Sequence, residues 1–164
     1  MTAIRHWKRW AGLFFLGLLT MPVAAQTSAP VRVALMGPEL AGSGEAALGL
    51  AEAELSGREG VELLDRATVG RVLREQDLAA GGLVQAEDAI RLGQLLAVDV
   101  FIHVEPLPGQ EALGMTAFET AQGIRLLDRG VEGVDAEALA KGIAEGVESA
   151  LAKWGAVDGT GVAV

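Results

Sequence analysis

The chain has 164 residues, with 13 basic and 22 acidic side chains, a formal charge of −9, two histidines, no tyrosine and no cysteine. So acidic a chain repels nucleic acid and anionic lipid surfaces, which argues against both as partners. Without cysteine there is no disulfide, no thiol nucleophile, no thiolate metal site and no lipobox for a lipid anchor.

Residues 1–25 read as a secretory signal. Arg5, Lys8 and Arg9 form a basic start, Ala11 to Leu19 are apolar or glycine, and Pro22 precedes the small run Val23-Ala24-Ala25. That pattern predicts cleavage between Ala25 and Gln26 and a periplasmic or secreted product. A spanning helix needs ~20 apolar residues, about twice this run, which counts against the alternative reading of the segment as an uncleaved anchor. Cleavage leaves 139 residues, enough for one domain with its own core, and no membrane span among them. Ten basic residues then stand against 22 acids, a charge of −12, and His103 is the one histidine left. A multi-histidine metal site within one subunit is thereby excluded.

Thr27 to Pro30 reads as a linker, and Val31 to Met36 as a first strand stopped by Gly37-Pro38. Ser43 is placed to cap a helix over 44–55, with Leu48, Ala51 and Leu55 on its buried stripe. Val61 to Leu64 is a short strand ended by Asp65-Arg66. A helix over 67–77 follows, with Val69, Val72 and Leu73 on one side, and Gly81-Gly82 breaks the chain. The next helix, over 85–96, carries Ala86, Ile90, Gly93 and Leu96 inward. Val98 to Val104 alternates β-branched residues and is the strongest strand signal. Leu113 to Glu119 and Gly123 to Leu127 form a hairpin around Thr120-Ala121-Gln122. Asp135 caps a last helix to Trp154, lined by Leu139, Ile143, Val147, Leu151 and Trp154.

Strand–helix–strand units favour parallel pairing and the later hairpins favour antiparallel pairing. The expectation is one αβ domain over 31–154, a mixed sheet of about five strands with helices packed on it, in the order β-α-β-α-α-β-β-β-α. A flexible tail over 155–164 is expected to follow.

Three constellations have chemical readings. Gly42-Ser43-Gly44-Glu45-Ala46-Ala47 matches the dinucleotide fingerprint in letters, but Pro38 to Ala41 separate it from the strand and Glu39 and Glu45 bring charge that repels phosphate. It reads as a glycine-rich connection. His103 shares a strand face with Asp99, Phe101 and Glu105 and reads as a structural histidine rather than half of an acid–base pair. Leu63-Leu64-Asp65-Arg66 recurs as Leu126-Leu127-Asp128-Arg129, each copy at a predicted strand end. No cofactor, no metal and no catalytic residue are expected.

Val61 to Arg66, then Val72-Leu73-Arg74-Glu75-Gln76-Asp77-Leu78, Gly81-Gly82-Leu83 and Leu92 to Ile102 follow one another in a distinctive order. That order resembles the periplasmic αβ domain of the curli-secretion lipoprotein CsgG and its relatives: the flagellar accessory FlgO, the penicillin-binding-protein activator LpoB and the amino-terminal domain of TolB. The turn Glu119-Thr120-Ala121-Gln122-Gly123 fits the same pattern. The residues that carry the resemblance are Asp65, Arg66, Glu75, Gln76, Leu78, Gly93 and Asp99. The chain departs from CsgG itself in having no cysteine and no pair of barrel-forming segments. The resemblance implies an exported, non-enzymatic domain that contacts envelope proteins, with self-association open, in curli-type secretion and assembly. The alternatives are an LpoB-like regulator of cell-wall synthesis, or a small exported nucleotide- or ligand-binding protein using the Gly42–Ala47 loop.

Overall fold

The most apolar runs of the sequence become the centre of one sheet. A computed structural model of the chain describes residues 29–37, 40–75, 86–110 and 112–159. Among the described residues nine elements follow in chain order: β1 (Val31–Met36), α1 (Ser43–Ser56), β2 (Val61–Leu63), α2 (Arg66–Glu75), α3 (Ala86–Leu96), β3 (Val100–Pro106), β4 (Ala112–Glu119), β5 (Arg125–Glu132) and α4 (Ala136–Gly159). This is a single mixed αβ domain with the element order read from the sequence. The sheet order is β2-β1-β3-β4-β5, with β1 parallel to both its neighbours and β3-β4-β5 antiparallel.

The connections explain the layers. From β1 the chain steps sideways to β2, then crosses back past β1 to β3. Because such crossovers are right-handed, reversing direction sends the intervening helices to opposite faces. One core accordingly packs α1 and α4 against Val33, Leu35, Val100, Ile102, Val104, Met115 and Ala117. The other packs Val69 of α2 and Leu92 and Leu96 of α3 against Ala34, Met36, Phe101 and Phe118. β3 is buried on both sides from Val100 to Val104, which is why its sequence is nearly all apolar. Among the described residues no helix is long and apolar enough to cross a membrane.

Several expectations need correction. The N-cap of α1 is Gly42, at φ +57°, and Ser43 is the first helical residue and makes no capping bond. On α3, Leu92 is fully buried and was absent from the predicted stripe, whereas Ile90 is half-buried. The side chains of Leu73 and Ala86 lie outside the described residues, as do Gly81 and Gly82. β5 begins at Arg125 rather than Gly123, because Gly123 sits at φ +71° in the turn. It also runs on to Glu132, so the second Leu-Leu-Asp-Arg lies inside a strand while the first ends one. Asp128 is tolerated there because the sheet edge leaves it in solvent, paired with Arg125 at 2.9 Å. Finally, α4 continues through Gly155 to Gly159, with Trp154 and Val157 packed on the main core, so helix occupies the first half of the expected tail.

Candidate functional site

An open groove of about 690 Å³ lies beside β2, walled by Glu52, Ala53 and Ser56 of α1, by Leu63 and Leu64, and by Asp65, Arg66 and Ala67 at the start of α2. It forms because β2 is only three residues long and lies at the sheet edge, so α1 overhangs it without a further strand below. Arg66 reaches across to Glu52, Nε to Oε1 at 3.2 Å. Partial burial raises the Glu52 pKa above its ordinary value, and the guanidinium opposes that shift. Asp65 caps α2: its Oδ2 accepts the Thr68 N–H at 2.9 Å and the Thr68 hydroxyl at 3.2 Å. The backbone bond from Thr68 is the main reason its pKa is lowered.

The residues carrying the sequence motif divide between two places. Asp65 and Arg66 border the groove, and Glu75 is exposed at the far end of α2. Gln76 and Leu78 lie outside the described residues, as do Ala25 and Gln26. Gly93 and Asp99 belong instead to the corner where α3 feeds β3. There Asp99 accepts the Arg32 N–H at 2.8 Å and donates its own N–H to the Arg32 carbonyl at 2.8 Å, pinning β3 to β1. Arg32 also bonds the Ala97 carbonyl and pairs with Glu62 of β2 at 3.3 Å. Sequence reading missed Glu52 and Arg32, each the distant partner of a residue that the motif does contain, with nothing local to mark it. Thr120 was read as part of the hairpin turn, but not its bonds to the Val98 and Asp99 carbonyls.

The Gly42–Ala47 loop has a different content from a phosphate cradle. The side chain of Leu40 lies over the α1 N-terminus: a Cβ on Gly44 would meet Leu40 Cδ2 at 3.3 Å, and one on Gly37 would meet Leu40 Cγ at 3.0 Å and Leu48 Cδ2 at 2.9 Å. Gly37 and Gly44 make room for a leucine. The adjoining cavity, between Leu40, Gly44, Leu113 and Val134, is about 270 Å³, below the usual range for ligand sites. His103 is buried in a sheet row between Met36 and Thr116. Among the described residues no group of three or more His, Asp or Glu is placed to hold a metal ion.

No family model matches this sequence, and no curated protein does either. Among solved structures, the chain is similar to TolB from Acinetobacter baumannii, with 14% identity and a TM-score of 0.51 over 75% of this chain and 28% of that one. It is also similar to lipoprotein GNA1162 from Neisseria meningitidis, with 15% identity and a TM-score of 0.48 over 75% of this chain and 97% of that one. A third is the LpoB C-terminal domain from Salmonella enterica, with 11% identity and a TM-score of 0.46 over 65% and 84%. The likeness to TolB, which spans little more than a quarter of that protein, is one of fold.

Proposed function

We propose that this chain is an exported, non-enzymatic interaction domain of the cell envelope, working by contact with other envelope proteins. The observation that carries the reading is the groove beside β2: a large open concavity along a sheet edge, bordered by Asp65 and Arg66, the pair that opens the sequence motif. Its polar side chains are engaged in a helix cap and an ion pair rather than aimed at a common reacting point. Such a surface suits docking better than chemistry.

Within this reading the motif order favours the CsgG-like module of curli-type secretion and assembly. Regulation of cell-wall synthesis in the manner of LpoB is the alternative pathway for the same kind of domain. The leader places the product outside the cytoplasm, starting at Gln26, which N-terminal sequencing of the envelope fraction checks.

A photoreactive phenylalanine analogue at Ala53, in the groove wall, tests the reading in cells. Capture of one defined envelope protein, absent when the analogue replaces Glu145 on the outer side of α4, is the expected result. A curli, flagellar or cell-wall protein as the captured species chooses the pathway. Failure to capture any envelope protein from Ala53 or elsewhere on the surface overturns the interaction role.

A further inference from the structure

We infer that the outer edge of β5 is coded by charge against a second copy of this chain, and that Asp128, Arg129 and Glu132 carry the code. This goes beyond the docking groove and holds whatever the groove receives.

β5 is the long open edge of the sheet, and among the described residues no strand pairs with its outer side. The Glu119 N–H donates to the Ile124 carbonyl at 2.8 Å, and the Thr120 N–H donates to the Asp99 carbonyl at 3.0 Å. Odd-numbered residues of β4 therefore face β5 and even-numbered ones face β3. Leu113, Met115 and Ala117 thereby engage Val131, Arg129 and Leu127. Alternate residues of an antiparallel ladder turn the other way, so the N–H and C=O of Asp128, Gly130 and Glu132 line the open edge. Such an unpaired row templates another strand, and an identical edge is the partner always at hand.

Symmetry limits how two such edges can meet. The closed arrangement is antiparallel about a two-fold axis perpendicular to the sheet, which keeps each side chain on its own face. Because side chains alternate between faces, that axis must pass through a residue rather than between two. Through Gly130, it sets Asp128 opposite Glu132 of the second copy, twice, with Cβ atoms ~5 Å apart. Through Arg129 it sets guanidinium against guanidinium, and through Asp128 carboxylate against carboxylate. Like charges directly opposite one another destabilise a strand pair.

The existing partners do not lift these clashes. Arg125 already serves Asp128 of its own strand at 2.9 Å, and Glu132 has no ion pair among the described residues. Arg129 bonds the Gly142 carbonyl at 3.0 Å, a neutral group that leaves its charge in place. Axes nearer Glu132 overlap by three strand residues or fewer. Axes nearer Arg125 meet a bulge, because Arg125 opposes Phe118 and Leu127 opposes Ala117, leaving Leu126 as the extra residue. The Leu126 carbonyl, turned outward by the bulge, accepts from Lys153 Nζ of α4 at 2.8 Å. Each symmetric approach is thus closed, by charge in the middle and by geometry at the ends.

Asp128→Lys tests the code, because it turns the Gly130 register from acid against acid into Lys against Glu on both sides. Glu132→Lys makes the same inversion with the Arg125 pair kept. Amide exchange at Gly130 is read at low and high concentration of the protein purified from the envelope fraction, with sedimentation in parallel. In the parent the Gly130 amide should exchange alike at both concentrations. In either single variant it should slow by about fivefold or more at high concentration, with the sedimenting mass moving toward that of a dimer. Combining the two substitutions sets Lys against Lys and should return both readouts to those of the parent, with circular dichroism unchanged throughout. Concentration-dependent protection of Gly130 in the parent overturns the inference. So do single variants whose Gly130 exchanges freely, or a doubly substituted chain that associates as the single ones do.

Discussion

Gly93 of α3 lies directly against Thr120 of the β4–β5 turn: a Cβ on Gly93 would come 2.6 Å from Thr120 Cγ2 and closer still to the Thr120 Cβ. Thr120 has little freedom to retreat. Its N–H donates to the Asp99 carbonyl at 3.0 Å and its hydroxyl donates to the Val98 carbonyl. The helix that carries Gly93 is thus seated on the corner that aligns β3 with β1, and the glycine is there for close approach.

Gly93→Ala should therefore destabilise the domain by about 1–3 kcal/mol, the cost of forcing atoms into a packed contact. The same substitution at Gly49, in the interior of α1 with nothing within 4 Å of its added methyl, should stabilise by ~0.5–1 kcal/mol. Urea unfolding of the two variants checks the opposite signs. A stabilised Gly93→Ala would mean that the α3 seat is looser than described.

Asp65 gives a pH signature. Its folded pKa is lowered from the ordinary 3.8 by the Thr68 backbone bond, so folding favours the ionised form. The cap's contribution is fully present above 3.8 and is lost as pH falls from there through the folded pKa. Asp65→Asn keeps a capping oxygen but cannot titrate. Unfolding midpoints of the parent should fall more steeply in that acid window than those of Asp65→Asn, and parallel curves would remove Asp65 from the account of acid stability.

Ala97 ends α3 in the left-handed conformation, at φ +51°, with Val98 donating to the Gly93 carbonyl at 3.1 Å. That is the Schellman arrangement with alanine where glycine is preferred. Ala97→Gly should stabilise by ~0.5–1 kcal/mol, the relief of side-chain strain less the added freedom of the unfolded chain. A rise in melting temperature of a few degrees is the readout.

Leu40 occupies the place that a phosphate would need at the α1 N-terminus. Leu40→Ala should destabilise by ~1–2 kcal/mol, less than for a fully buried leucine because the side chain is half-exposed. Calorimetric titration of the parent with NAD(H), ATP and Zn²⁺ should give no binding heat. Micromolar nucleotide binding abolished by Gly44→Val would establish the loop as a cofactor site.

What the sequence determined by itself was the succession of elements and most of each buried stripe. Leu48, Ala51 and Leu55 on α1, and Leu139, Ile143 and Val147 on α4, announce their faces because helical period is a local property. The alternation of Val100, Ile102 and Val104 does the same for the central strand. Polar positions were harder to read. Asp128 and Arg129 look like a strand end in sequence, and only the uncovered edge of the folded sheet lets β5 run through them. The order β2-β1-β3-β4-β5 and the groove beside β2 also belong to the tertiary structure. So do the pairing of Arg66 with Glu52 and the contact of Gly93 with Thr120. Each joins residues on separate elements, and a period of two or 3.6 residues says which face is buried but never which other segment will cover it.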